Sequence, residues 1–210
     1  ADVIFCAKVG GGAMDAVALA EGLRAAYAAA GAGEALDGWP ALRVTRGVEP
    51  AGLPVCGVLG AAAAGAPAGF AALVAGLRDG AAALRWGQTY RAGDFGEAFL
   101  QGYGWTELIG LRGPVASDAV AVGFLLLGPG VEYPPHAHEA VEVYLPLSGR
   151  AEWRQGERPY APVEPGVAIR HASWVPHAMR TGAEPLVAAY VWRGAIWRRS
   201  RGSSSARPGV

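Results

Sequence analysis

The C-terminal half restricts the fold more than any other part of the chain. Between 105 and 192 the sequence breaks into short apolar segments separated by Gly and Pro. Strands are expected over 105–111, 120–127, 141–147, 151–154, 167–170, 175–179 and 186–192. Seven or more short strands with turn signals between them fit an antiparallel sandwich or a small barrel. Leu147-Ser148-Gly149-Arg150 reads as a tight hairpin connection.

The first third reads differently. Over 14–30, Leu19, Leu23, Ala26 and Tyr27 recur at helical spacing, and Gly31 and Gly33 stop the run. A second helix is expected over 68–84, carrying Phe70, Leu73, Val74, Leu77 and Leu84. Turns fill 37–65, with a short helix near 59–64. The character changes near Trp86. The end is small, polar and basic, with Arg198, Arg199, Arg201, three serines and Pro208, and reads as a disordered tail.

Composition removes several function classes. Hydrophobic residues make up 52% of the 210, so there is material for a core, although much of it is Ala. Eighteen Lys and Arg balance 18 Asp and Glu, which argues against a nucleic-acid surface. The apolar stretch 51–75 is interrupted by Pro54 and Pro67 and has few large side chains, so no membrane span is expected. The start lacks a basic region before an apolar run and does not read as a signal peptide. Cys6 and Cys56 make no disulfide framework; free thiols in a reducing, cytoplasmic compartment are the expectation.

The chemistry is concentrated in one window. All four histidines fall between 136 and 177. His136, His138, Glu142 and Tyr144 share one parity, so on an unbroken strand all four point to one side, with Val141, Val143 and Leu145 opposite. Two imidazoles and a carboxylate facing inward are costly without a partner. A divalent transition metal satisfies all three. A further ligand is expected from a nonadjacent strand. His177 is the stronger candidate and His171, where the chain turns outward, the weaker.

These residues carry a family resemblance. Gly130-x5-His136-x-His138-x3-Glu142-x6-Gly149 resembles the first motif of the cupin family. The second motif is partial. Gly166 and His177 keep its spacing, while Ala172, Trp174 and Thr181 stand where Pro, Gly and Asn are usual. The resemblance implies a mainly β fold, the cupin double-stranded β-helix (jelly-roll) barrel, with an N-terminal helical region. It also implies one divalent metal held by His136, His138, Glu142 and His177; zinc, iron, manganese, nickel and cobalt are all admissible. The expected division is a helical region 1–85 packing on the barrel or forming a dimer contact, a metal-binding barrel 86–197, and the tail 198–210.

A narrower resemblance, covering roughly 86–194, is to the cupin-type dimethylsulfoniopropionate lyases. It rests on Tyr144 two positions after Glu142, Tyr133 three before His136 and Trp192 fifteen after His177, with the segment WGQTYRAGDFGEAFLQGYGWTELIG approaching the barrel. It implies β-elimination of a small zwitterion to dimethyl sulfide and acrylate. Tyr144 is the implied base, with Tyr133 as second base or carboxylate-orienting donor. Aromatic faces would receive the sulfonium, Trp192 first and Trp174 second, with Tyr90 and Gln88 at the mouth. A homodimer fits the family. Rival readings of the same centre are a cupin dioxygenase, which consumes oxygen, an isomerase of a small organic acid, which leaves mass unchanged, and a noncatalytic metal-dependent small-ligand sensor, which turns nothing over.

Overall fold

The computed structural model describes residues 14–194. The amino-terminal stretch with Cys6 and the basic tail from Arg198 lie outside the described residues. Helix α1 (Ala16–Ala29) begins where the Asp15 carboxylate accepts from the Ala18 amide at 2.8 Å, and its apolar stripe buries Leu19, Leu23 and Tyr27. Helix α2 (Leu59–Gly65) leads across Pro67 into α3 (Ala68–Gly80), which buries Leu73, Val74 and Leu77. The expected continuation of α3 to 84 becomes a 3-10 turn over Ala81–Ala83.

The strands are β1 (Trp86–Gly87), β2 (Tyr103–Gly110), β3 (Val115–Ala116), β4 (Val120–Leu127), β5 (Glu132–His136), β6 (Val141–Ser148), β7 (Ala151–Gln155), β8 (Ala161–Val163), β9 (Ile169–His171), β10 (His177–Thr181) and β11 (Leu186–Arg193). They form two sheets. One has the order β1-β2-β4-β11-β6-β9, with β3 beside β2; the other is β5-β10-β7-β8. All pairs except β2–β3 are antiparallel. The hairpin at Leu147–Arg150 forms as expected. Gly149 sits at φ +80°, and a Cβ there would lie 1.9 Å from the Pro185 carbonyl oxygen.

The large sheet is the middle of three layers. Val122, Phe124 and Leu126 of β4, Val143, Leu145 and Leu147 of β6, and Val187, Ala189 and Val191 of β11 face the helices. The intervening residues Ala121, Leu125, Tyr144, Ala188 and Tyr190 face the small sheet, where Tyr133, Trp153 and Met179 meet them. Every β4 residue is buried, as two covered faces require. The helical layer is also tied in polar fashion. The Tyr27 hydroxyl, fully buried, donates to the Val143 carbonyl at 2.8 Å.

The expectation of a mainly β, closed jelly-roll barrel is corrected. Helix and strand are of similar extent, roughly 30% and 33%, and neither sheet closes on itself. The edges explain this. Both edge strands of the small sheet contain proline, Pro134 and Pro135 in β5 and Pro162 in β8, which cannot donate to a further strand. The large sheet ends on β1 and β9, only two and three residues long. Among the described residues no helix is long and apolar enough to cross a membrane.

Candidate metal centre and substrate cavity

The side chains expected on one unbroken strand come from two sheets. Pro134 and Pro135 end β5 at His136, residues 137–140 turn, and Glu142 stands on β6 in the other sheet. Convergence survives because β10 brings His177 directly opposite His136. The centre therefore sits at the gap between the sheets, with His138 on the connection. Glu142 is flanked in register by Trp192 of β11 and His171 of β9.

The three imidazoles share one device. Each Nδ1 lies 2.9 Å from a backbone carbonyl two residues away: Pro134 for His136, Ala140 for His138 and Val175 for His177. A carbonyl only accepts, so each Nδ1 carries a proton and each Nε2 is left as the ligand atom. One nitrogen from each histidine lies within 4.8 Å of the other two. Glu142 Oε2 is 3.0 Å from His138 Nε2 and 3.1 Å from His177 Nε2. The second contact is close but not aligned as a hydrogen bond, so the buried His177 Nε2 has no hydrogen-bond partner. Nitrogen lone pairs and a fully buried carboxylate aimed at one point fit a single divalent metal ion; the donor set does not choose among the transition metals.

Electrostatics follow from burial and this crowding. Burial, reinforced by His177, lowers His136 to about 4. Burial would lower His138 as well, but the Glu142 carboxylate outweighs it and raises that histidine. For Glu142, burial pulls upward and is overcome by the His138 and His177 imidazoles 3.0 and 3.1 Å away, which hold the carboxyl well below its ordinary range.

Two spaces meet here. An outer one is lined by His136, His138, Tyr90, Trp174, Tyr133 and Trp192. An inner, mostly aromatic one between the sheets is lined by Glu142, Tyr144, Tyr103, Tyr190, Trp105 and Glu107, and shares Tyr133 and Trp192 with the first. The Tyr133 ring stacks on His136 at 4.1 Å and 10°. Its hydroxyl donates to Tyr90 at 3.3 Å and lies 3.4 Å from the Tyr103 hydroxyl. Tyr144 stands two residues from Glu142 on β6. Burial, then the Glu142 charge, pushes its phenol well above the ordinary value. The Trp192 indole N–H donates to Glu142 Oε1, and its ring lies 4.5 Å from that of His138.

The remaining expected residues divide. Trp174 is 64% exposed at the mouth, with φ +60° and its amide bonded to the His138 carbonyl at 2.8 Å. Gln88 lines neither space. Its amide nitrogen is spent on the Leu100 and Tyr103 carbonyls at 2.6 and 2.7 Å, so it braces β2 instead of the mouth. His171 stands outside the three-histidine cluster. It stacks on His177 at 4.0 Å and 12°, fully buried, and Gln155 donates to its Nδ1. Glu107 and Arg112 were not singled out from sequence; an acid in an apolar strand pattern is the only signal Glu107 offers.

A family model described as dimethylsulfoniopropionate lyase matches residues 42–188. The dimethylsulfoniopropionate lyase DddQ of Ruegeria pomeroyi is 37% identical over 113 residues, 54% of this chain and 56% of that protein. The chain spans about half the length of the curated relatives it matches. The crystal structure of DddQ from Ruegeria pomeroyi superposes with a TM-score of 0.79 at 29% identity, covering 86% of this chain and 92% of that one. A chain from the crystal structures of the lyases RdDddP and RnDddQII gives a TM-score of 0.78 at 31% identity, covering 86% and 93%.

Proposed function

The chain belongs to the dimethylsulfoniopropionate lyase family, and from that premise we propose that it splits this zwitterion into dimethyl sulfide and acrylate by β-elimination. The observation that carries the reading is the convergence of three histidine nitrogens and Glu142 at the wall of an aromatic cavity that also contains Tyr144. His136, His138, Glu142 and His177 would hold the metal. Its charge would attract the substrate carboxylate and stabilise the negative charge that develops beside it.

The protein residues do the rest. Tyr144 Oη takes the proton from the carbon next to the carboxylate, the Cα–Cβ double bond forms, and the bond to sulfur breaks with its electron pair leaving on neutral dimethyl sulfide. Burial and Glu142 both oppose ionisation of Tyr144, so compensating positive charge at the Glu142 carboxylate is a condition for its role as base. Tyr133, held against His136 and hydrogen-bonded to Tyr90, orients the carboxylate and is the second candidate base. Trp192 is fixed through its N–H to Glu142, and its ring lines both spaces beside His138. Trp174 and Tyr90 form the mouth.

The test is headspace detection of dimethyl sulfide after adding the substrate to metal-loaded protein. Tyr144→Phe should lower kcat by at least about a hundredfold, the size of one general base. His177→Ala should lose both bound metal and activity. Near-normal turnover in the phenylalanine variant moves the base role to Tyr133. Oxygen consumption without dimethyl sulfide would support a dioxygenase instead.

A further inference from the structure

We infer that Glu107 is the counter-charge for the cationic end of the substrate, and so sets the preference for an onium over a neutral ligand of the same shape. The inference rests on the proposed lyase reading and concerns the far end of the same cavity.

On β2 the residues Tyr103, Trp105 and Glu107 alternate onto the face that lines the inner cavity. Glu142 lines that cavity too, three strands away in the order β2-β4-β11-β6. Three strand spacings are about 14 Å between backbones. Less the inward reach of two glutamate side chains, that leaves room for a molecule with a three-carbon acid at one end and a dimethylsulfonium at the other. Its carboxylate belongs at the histidine end, so its sulfonium points toward Glu107.

The Glu107 carboxylate is held in place. Oε1 accepts from the amides of Arg112 at 2.5 Å and Gly113 at 3.0 Å. It can sit there because residue 110 is glycine; a Cβ at Gly110 would lie 2.6 Å from Oε1. Opposite Glu107 in register, Gly123 lacks the side chain that would crowd the Tyr190 hydroxyl. Only 9% of Glu107 is exposed, in a wall it shares with Tyr103, Trp105, Tyr190 and Arg112. Burying a carboxylate among aromatic rings is costly, and a permanent cation in the same space recovers part of that cost. Arg112 Nη1, 3.8 Å from Oε2, opposes this, but Arg112 is 43% exposed and its guanidinium also lies 5.5 Å from the Trp105 ring centroid.

Two ligands that differ only in charge separate recognition of charge from support of the turn at 110–113. These are 3-(trimethylammonio)propionate and its carbon isostere 4,4-dimethylpentanoate, titrated by calorimetry into the metal-loaded protein. Wild type should bind the cation on the order of tenfold more tightly, the scale of one partly screened ion pair. Glu107→Gln should bring the two dissociation constants together by weakening only the cation, and Glu107→Asp should keep the preference. An unchanged preference in Glu107→Gln, or equal weakening of both ligands, overturns the inference. Should that variant fail to fold, Arg112→Gln tests the same field with opposite sign. It should strengthen the preference, and no change there also overturns the inference. A wild type that prefers the cation yet releases no dimethyl sulfide refutes the lyase reading separately.

Discussion

Replacing Trp174 by glycine should give a more stable protein than replacing it by alanine. Trp174 is the one non-glycine residue with positive φ among the described residues, at +60°. Its Cβ crowds the neighbouring carbonyl in that conformation, at a cost of about 1–2 kcal/mol. Alanine keeps the Cβ and the cost, whereas glycine removes both. Glycine gives back roughly 0.5–1 kcal/mol through the greater freedom of the unfolded chain. Both variants lose the same ring, which is 64% exposed and contributes little burial, and both keep the amide bond to the His138 carbonyl. The net difference is about 1 kcal/mol in favour of glycine, equivalent to a Tm about 2–4 °C higher for a chain of this size. Calorimetric melting of the two purified variants, metal-free and in one buffer, measures it. An equal Tm, or a lower one for glycine, would refute the argument that this loop stores backbone strain to present an aromatic ring at the mouth.

Acid should weaken the metal-free protein early. Burial lowers His136 to about 4 and His171 to about 3, while the unfolded chain protonates histidine near 6.5. With the folded values depressed, the unfolded state binds more protons between those limits. The contribution of these two histidines is complete above about pH 6.5 and falls by up to about 1.4 kcal/mol per unit and per histidine below it. Urea midpoints at stepwise pH measure this, and a flat profile from 6.5 to 4.5 would contradict it. Gly149→Ala should cost about 2–3 kcal/mol, because the added Cβ meets the Pro185 carbonyl oxygen at 1.9 Å on a backbone at φ +80°; an unchanged denaturant midpoint would show that the hairpin shifts freely.

Long periodic segments were legible in the sequence, and edges were not. The stripe over 14–30 gives α1 to within two residues at either end, and the run 120–127 gives β4 outright. Those signals come from side chains facing one core, which periodicity reports directly. Strands β1, β3 and β8 are too short to show a period, and β5 was hidden by its prolines. The same prolines undid the geometric argument for the site. Parity on one strand does place Glu142 and Tyr144 on a common face, yet His136 reaches the centre from the other sheet, paired to His177. The residue types that meet at the centre were therefore readable and their route was not. Openness of the sheets was equally out of reach, since it depends on which strands end up at edges. The stacking of His171 on His177 depends on β9 of one sheet facing β10 of the other, which no local pattern encodes.

Val143, whose carbonyl receives the Tyr27 hydroxyl, lies between Glu142 and Tyr144 on β6. The backbone between Glu142, the proposed ligand, and Tyr144, the proposed base, is thus anchored from behind by a side chain of α1. Motion that lifts that helix must break this anchor and leave a buried oxygen unsolvated. The helical layer is thereby coupled to β6 beside the candidate centre, so alterations in the α1 interface should be felt at residues they never touch.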